Sequence, residues 1–117
     1  MKKERVKYFE KKLGEKFKEV VKDFDKNKNY GLRDHDLGAH DFLDLASDSY
    51  YTEFALLLSD TDREILRQIE EAMQKIKDGR YGVCSECKSE IGEKRLDAVP
   101  WARHCIKCQE LEEKGLL

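Results

Sequence analysis

Apolar residues recur at intervals of three and four along two long parts of the chain, with charged residues between them. The first part runs from Lys3 to about Phe24, and the second runs from about Asp44 to Asp78. Such spacing predicts an amphipathic helix with one apolar face in each part. The apolar positions are Val6, Phe9, Leu13, Phe17, Val20 and Phe24 in the first helix and Phe54, Leu57, Leu58, Ile65, Ile69, Ala72 and Ile76 in the second.

The second apolar stripe passes through Thr61 without a change of phase, which favours one unbroken helix. Ser59 and the pair Thr61 and Glu64 offer an alternative, because they match the pattern that caps the start of a new helix. Asp78 is followed by Gly79, which suits the left-handed residue that ends a helix. Paired as an antiparallel hairpin, the two helices would bury their stripes against each other. The second helix would then form an arm of about 46 Å.

The rest of the chain outside these helices includes a predicted loop and a predicted short helix. Between Asp25 and His40 the periodicity stops, and turn-forming residues predict a connecting loop. His35 and His40 lie among aspartates in that loop, but they lack a recognised ligand spacing, so we do not predict a second metal site. Near the end of the chain, Glu110 to Lys114 is predicted to form a short helix that stops at Gly115.

The charge balance changes along the chain. Charged residues make up 41% of the 117 residues, which predicts a large solvent-exposed, elongated element. Residues 1–28 are basic and residues 63–117 are balanced, whereas residues 29–62 carry eight acids and one basic residue. A net charge of -2 argues against a general nucleic-acid binder. There is no apolar run of about 18 residues and no leader, so we expect a cytoplasmic protein without a membrane span.

All four cysteines lie between Tyr81 and Gln109, in two C-x-x-C pairs separated by seventeen residues. This spacing predicts one structural zinc ion in a closed four-sulfur site. Two disulfides are the alternative, but disulfide frameworks belong to exported chains. A closed site leaves no position for substrate and no spare thiol as a nucleophile, so we do not expect an enzyme. The predicted ligands are Cys84, Cys87, Cys105 and Cys108.

The cysteine block resembles the zinc region of the DksA/TraR family of bacterial transcription factors. The matching residues outside the cysteines are Tyr81, Gly82, Ile91, Gly92, Arg95, Leu96, Ala98, Pro100, Ala102 and Gln109. A second match is the D-x-x-D-x-A sequence from Asp41 to Ala46, which resembles the motif at the family's coiled-coil tip. It lies 43 residues before Cys84, similar to the arm length of the family. One departure is Lys88, where the family often has glycine; lysine would strain the zinc knuckle if the residue needs a positive φ.

The resemblance implies a mainly α fold. Residues 1–80 would form a long antiparallel coiled-coil hairpin with an acidic tip near residues 34–48. Residues 81–117 would form a small four-cysteine zinc-finger globule with the short C-terminal helix.

The resemblance also implies a function. Members of the family bind RNA polymerase core through its secondary channel and bring their tip near the catalytic magnesium, without binding DNA directly. Here the tip residues would be Asp41, Asp44 and Ala46, and helix capping is the alternative role for the two aspartates. The competing hypotheses are a zinc-ribbon module that binds nucleic acid and a coiled-coil adaptor for another assembly.

A last implication concerns the alarmone ppGpp. In DksA, basic side chains on the later arm helix and beside the zinc cysteines help to bind it, and the matching positions here are Thr61, Gln68, Val99 and Gln109. None is basic, and a nucleotide with four or more negative charges needs Lys or Arg. We therefore do not expect ppGpp to bind this protein's own surface. The nearby cations that could compensate are Arg63, Arg67 and Arg95.

Overall fold

The computed structural model describes residues 1–22 and 38–117, and these residues are almost entirely helical. Extended pairing among them is limited to one isolated antiparallel bridge between Val83 and Glu90. The mainly α prediction is therefore confirmed. The helices are α1 (Lys3–Val20), α2 (Ala39–Ala46), α3 (Ser49–Ala55), α4 (Asp60–Asp78), α5 (Glu93–Ala98) and α6 (Ile106–Glu113).

Part of the sequence-based prediction lies outside the described residues. This part comprises the end of the first helix at Phe24, the loop from Asp25 to residue 37 with His35, and the first residues of the acidic segment near 34–48. Within the two described ranges, no helix combines the length and apolar character needed to cross a membrane.

Helices α1 and α4 form the predicted antiparallel pair. Phe9, near the start of α1, lies with its ring centroid 5.7 Å from that of Tyr81, which follows the end of α4. Phe17, near the end of α1, contacts Tyr51 instead, at 5.9 Å between centroids. The predicted stripe of α1 is buried at Phe9, Leu13 and Phe17, as a 3.6-residue period requires. Gly79 ends α4 as expected, with φ of 74°.

The prediction of one unbroken helix from Asp44 to Asp78 is wrong, because α2, α3 and α4 occupy that stretch. The carboxylate of Asp48 accepts a hydrogen bond from the Tyr50 N–H at 2.7 Å and caps α3. The hydroxyl of Ser59 accepts one from the Asp62 N–H at 3.2 Å and caps α4. Side-chain caps replace the hydrogen bonds that a helix end leaves open, so they stabilise both breaks. The alternative of a new helix capped near Ser59 is correct.

The hairpin is also shorter than predicted. The longest dimension of the molecule is 41 Å, below the 46 Å expected for the arm alone. Helix α2 packs against α4, and Phe42 of α2 places its ring 4.9 Å from Phe17. Because α4 is covered from two sides, its buried face extends beyond the predicted stripe to Leu66 and Met73.

Charged side chains of helix α1 contact both α2 and the cysteine-containing region. The Glu10 carboxylate accepts a hydrogen bond from the Ala39 N–H at 2.9 Å, so a side chain of α1 caps α2. In the cysteine-containing region, the Glu93 carboxylate of α5 lies 2.6 Å from the Arg5 guanidinium of α1. Lys12 donates to the backbone carbonyl of Asp97 at 3.0 Å. These contacts fix the cysteine-containing region against the helical pair.

Candidate metal centre and acidic tip

The four cysteines come together at one point. Their sulfur atoms all lie within 4.8 Å of one another, and none forms a disulfide. The Sγ atoms of Cys87 and Cys105 are 3.7 Å apart. A tetrahedral zinc site with Zn–S bonds of about 2.3 Å has sulfurs about 3.8 Å apart along each edge. The sulfur positions therefore fit a tetrahedral zinc site.

Short-range backbone hydrogen bonds shape the first cysteine pair. The Cys84 N–H donates to the Ser89 carbonyl at 2.8 Å, and the Lys88 N–H donates to the Cys84 carbonyl at 3.1 Å. One further bond joins the two pairs, from the Ser85 N–H to the Arg103 carbonyl at 2.9 Å. The C-x-x-C turn is therefore folded by its own main chain and directs both thiols to one side.

Lys88 occupies the left-handed region, with φ of 64°, and it is the one residue other than glycine with a positive φ among those described. Position 88 therefore has the positive φ at which lysine is expected to strain the zinc knuckle. A side chain with a Cβ atom is disfavoured there, whereas glycine is not. The Lys88 ammonium donates to the Ser85 carbonyl at 2.8 Å on the surface of the turn.

The surroundings of the thiols shift the pKa values of Cys84 and Cys108 in opposite directions. Burial would raise the pKa of Cys84, but the backbone N–H groups of Cys87, Cys105 and Glu86 outweigh it and lower the pKa to about 6. Burial, followed by the neighbouring thiols, raises the pKa of Cys108 to about 12. Four thiolates this close together need a divalent cation to hold them all deprotonated at neutral pH.

Helix α4 holds both cysteine pairs through charged side chains. The Lys75 ammonium donates to the Val83 carbonyl at 3.0 Å and to the Ser85 hydroxyl at 2.8 Å, beside the first pair. Burial lowers the pKa of Lys75. Near the second pair, the Arg103 guanidinium bridges the carboxylates of Glu64 and Glu71 at 3.1 and 3.2 Å. These contacts couple the orientation of the metal site to that of α4.

Sequence reasoning did not identify the roles of Lys75, Arg103 and Glu10. Each looks like one of many charged residues on a solvent-facing helix or turn. The resemblance to the zinc region places Arg103 between two matched positions, Ala102 and Cys105, and that place is the single signal that could have identified it. The roles of Lys75 and Glu10 depend on contacts with residues at least eight positions away.

The acidic motif lies on α2. Asp41 and Asp44 are exposed and stand almost one turn apart, and the Asp44 side chain is 72% exposed. Neither aspartate caps a helix, because Gly38, Asp48 and Ser59 occupy the N-cap positions of α2, α3 and α4. The capping alternative for the two aspartates is therefore wrong.

Ala46 and the groups near the two aspartates of the motif also lie on or beside α2. Ala46 is half-buried against the core of its own chain. The His40 Nε2 atom lies 3.5 Å from the Asp44 carboxylate. Among residues 1–22 and 38–117, neither aspartate of the motif has a Lys or Arg partner within ion-pair distance.

The fold and site define a helical protein with a four-cysteine zinc finger. The family model described as "Prokaryotic dksA/traR C4-type zinc finger" matches residues 79–114. The RNA polymerase-binding transcription factor DksA of Buchnera aphidicola is 44% identical over 63 residues. General stress protein 16O of Bacillus subtilis is 44% identical over 59 residues. These matches cover 52% and 50% of this chain, but only 42% and 36% of the two relatives.

A solved structure gives a match over nearly its full length. It is described as RNA polymerase binding protein and transcriptional regulator Dks from Chlamydia trachomatis, and it is 33% identical. The match covers 69% of this chain and 96% of that one, with a TM-score of 0.47. The chain belongs to the DksA/TraR family. The prediction of one structural zinc ion is confirmed by the C4-type family model and by the grouping of the cysteines.

Proposed function

We propose that this protein regulates transcription by binding bacterial RNA polymerase in the cytoplasm, and that it acts by binding rather than by catalysis. Relatives that match half of the chain are named as RNA polymerase-binding transcription factors, which supports this partner. The observation that carries the proposal is the pair of exposed carboxylates on α2, Asp41 and Asp44, without Lys or Arg partners among the described residues. His40 lies 3.5 Å from Asp44 but is itself exposed, so both carboxylates remain accessible to a cationic site of a partner.

We propose that the chain has two regions with different roles in this function. Residues 1–80 supply the helical part and its tip, and residues 81–117 supply a zinc-finger region that docks beside it. We propose Cys84, Cys87, Cys105 and Cys108 as the four zinc ligands. Entry through the secondary channel would bring Asp41, Asp44 and Ala46 toward the catalytic magnesium, without direct contact to DNA.

A substitution at the tip tests the proposal. Asp44→Asn should abolish the effect on transcription and leave polymerase binding nearly intact, because it removes one charge while the docking surface is unchanged. The measurements are in vitro transcription and competition binding with the zinc-loaded full chain. Glu53→Gln is the matched control, since it neutralises an exposed acid on α3, outside the motif. Equal losses of binding and regulation in Asp44→Asn would mean that the tip supplies affinity instead.

Two other functions predict different results in binding experiments. A zinc-ribbon module for nucleic acid would bind DNA in a salt-dependent manner and would not be retained by polymerase in a pull-down. The balance of eleven basic and eleven acidic residues in 63–117 does not favour it. A coiled-coil adaptor for another assembly would tolerate loss of both tip aspartates.

We further propose that ppGpp does not act through this protein's surface. Gln68, Val99 and Gln109 line one cavity of about 260 Å³, whereas Thr61 does not line it. Glu112 and Glu113 line the same cavity and would repel a polyanion.

The two cations of this cavity already have partners in the chain. The Arg95 guanidinium donates to the His104 carbonyl at 3.0 Å, and Arg103 is paired with Glu64 and Glu71. These contacts use only some of the N–H donors of each guanidinium, but the carboxylates of Glu64 and Glu71 offset the charge of Arg103 and so reduce its ability to compensate for the missing basic residues. On a polymerase whose other alarmone site has been removed, ppGpp should leave the activity of this factor unchanged. A stronger effect in the presence of ppGpp would contradict the proposal.

A further inference from the structure

A cavity beside the first cysteine pair gathers positive charge. Its volume is about 260 Å³, and it is lined by the last turn of α4 and by the first C-x-x-C turn. The charged side chains that line it are Lys75, Arg80 and Lys88. Among the residues that the structure describes, no Asp or Glu lines it. The lining therefore favours an anion over a metal cation.

The two ammonium groups of the cavity bond to neutral acceptors. Lys75 donates to a backbone carbonyl and to the Ser85 hydroxyl, and Lys88 donates to the Ser85 carbonyl. Across residues 1–22 and 38–117, neither ammonium lies within ion-pair distance of a carboxylate, whereas Arg80 lies 3.2 Å from Asp78. The charges of both lysines are therefore not offset by direct partners.

The same side chains have hydrogen-bond donors to spare. An ammonium has three N–H donors, of which Lys75 uses two and Lys88 uses one in bonds to the described residues. The Ser85 hydroxyl accepts from Lys75 and keeps its own O–H as a donor. A tetrahedral oxyanion accepts several such bonds at once, and bonds from charged donors are the strong ones.

An anion in the cavity would also offset the repulsion among its cations. Burial is the main cause that lowers the pKa of Lys75, and the charges of Arg80 and Lys88 lower it as well. Glu71 and Cys84 act in the opposite direction. A bound anion would stabilise the charged form of Lys75, because an opposite charge nearby favours ionisation.

We propose that this cavity binds one phosphate group, as inorganic phosphate or as the phosphate of a phosphomonoester. The ammonium groups of Lys75 and Lys88, the Arg80 guanidinium and the Ser85 hydroxyl are its donors. Because Lys75 belongs to α4 and Ser85 belongs to the first cysteine turn, the bound group joins the helical part to the zinc-finger region.

The surroundings limit the ligand to a single phosphate group. A neighbouring cavity of about 430 Å³ shares part of the same lining, but Glu70 and Glu71 also line it. A longer chain of phosphates would extend toward these carboxylates and be repelled. The site is also separate from the cavity at Gln68 and Val99, which shares no lining residue with it.

Phosphate binding to the zinc-loaded full chain tests the site. Phosphorus NMR and calorimetry would follow inorganic phosphate in one arm and glycerol 3-phosphate in the other, with chloride holding the ionic strength constant. Binding of phosphate alone would identify the free ion as the ligand, and binding of both would show that the site accepts a phosphomonoester. Absence of binding in both arms below about 10 mM would overturn the proposal.

Substitutions locate the binding. Lys75→Gln and Arg80→Gln should each weaken binding about tenfold, because each removes a charged donor. Arg80→Gln leaves the bonds of Lys75 to the cysteine turn in place, so it tests the site even if Lys75→Gln disturbs the fold. Lys77→Gln is the matched control, since it makes the same charge change in the same turn of α4 at an exposed residue outside the cavity. An equal loss in Lys77→Gln would mean unspecific attraction and would contradict the site.

The competing role for these cations is to balance the metal centre. Zinc with four thiolates carries a net charge of about -2, and Cys84 also lines the cavity. In that case Lys75→Gln would release zinc more readily in chelator competition, and phosphate would not bind to the wild-type chain. That pair of results would overturn the proposal, whereas phosphate binding with unchanged zinc content in Arg80→Gln, weakened about tenfold, would support it.

Discussion

The zinc-finger region and the tip segment, residues 38–59, keep their shapes by different means. In the zinc-finger region, the first cysteine turn is closed by hydrogen bonds between residues less than ten positions apart, such as Ile91 N–H to the Gly82 carbonyl at 2.8 Å. In the tip segment, the contacts that fix α2 come from α1: the Glu10 carboxylate caps it, and the Phe17 ring packs on Phe42. One region is closed locally around a metal, and the other is held by a distant helix.

This difference indicates how each region should fail. Loss of the metal should unfold the zinc-finger region and leave α1 and α4 paired, because the two helices also pack directly against each other, although Phe9 of α1 contacts Tyr81 at the start of that region as well. Loss of tip packing should release α2 and leave the metal site intact, because the tip supplies no ligand. The substitutions below test this independence, in order of decreasing effect.

The largest effect is expected from loss of a zinc ligand. Cys87→Ser should unfold the region after Tyr81 and leave much of the helical signal, because closing such a site is worth on the order of 10 kcal/mol. Metal analysis and residue-level hydrogen exchange measure the two results. Glu86→Gln, an exposed change between the same two cysteines, is the control and should keep its zinc. A folded Cys87→Ser region, or a wild-type fold with four free thiols and no metal, would contradict the assignment.

An intermediate effect is expected in the tip segment. Phe42→Ala should cost about 3–5 kcal/mol, because it leaves a cavity against Phe17. Leu57→Ala removes a leucine that is 83% exposed, and its cost should be within about 0.5 kcal/mol of zero. Denaturant unfolding of both variants, with zinc content as a second measurement, gives the comparison. A large cost at Leu57 would show that the stripe runs through the break in the free protein, and zinc loss in Phe42→Ala would show that the regions are coupled.

The smallest effect is expected at the strained residue of the zinc knuckle. Lys88→Gly should stabilise the zinc-finger region by up to about 1 kcal/mol, because relief of the left-handed conformation exceeds the added freedom of glycine in the unfolded chain. Lys94→Gly, the same change inside α5, should instead destabilise by about 1 kcal/mol. Chelator competition and thermal unfolding measure both. Destabilisation by Lys88→Gly would mean that its bond to the Ser85 carbonyl outweighs the strain.

The apolar pattern predicted the helices well but not their boundaries. The start of α1 at Lys3 and the end of α4 at Asp78 are correct, and the second depends on the local preference of Gly79 for the left-handed conformation. The continuous second helix was wrong because Asp48 and Ser59 are weak signals, and an apolar stripe in phase with both flanking helices outweighed them. The burial of Leu66 and Met73 was missed because the pattern does not show that α2 also covers α4.

The sequence by itself determined the metal site, because two C-x-x-C turns fold through neighbouring residues and their spacing already specifies four sulfurs around one ion. It also determined that Asp41 and Asp44 would share a helical turn. Only the tertiary structure decided where that turn lies. Its position depends on the contact between Phe42 and Phe17 and on the bond from Ala39 to Glu10, which join residues 25 and 29 positions apart. A hydrophobic period predicts which face of a helix is buried, but it does not predict which other helix packs against that face.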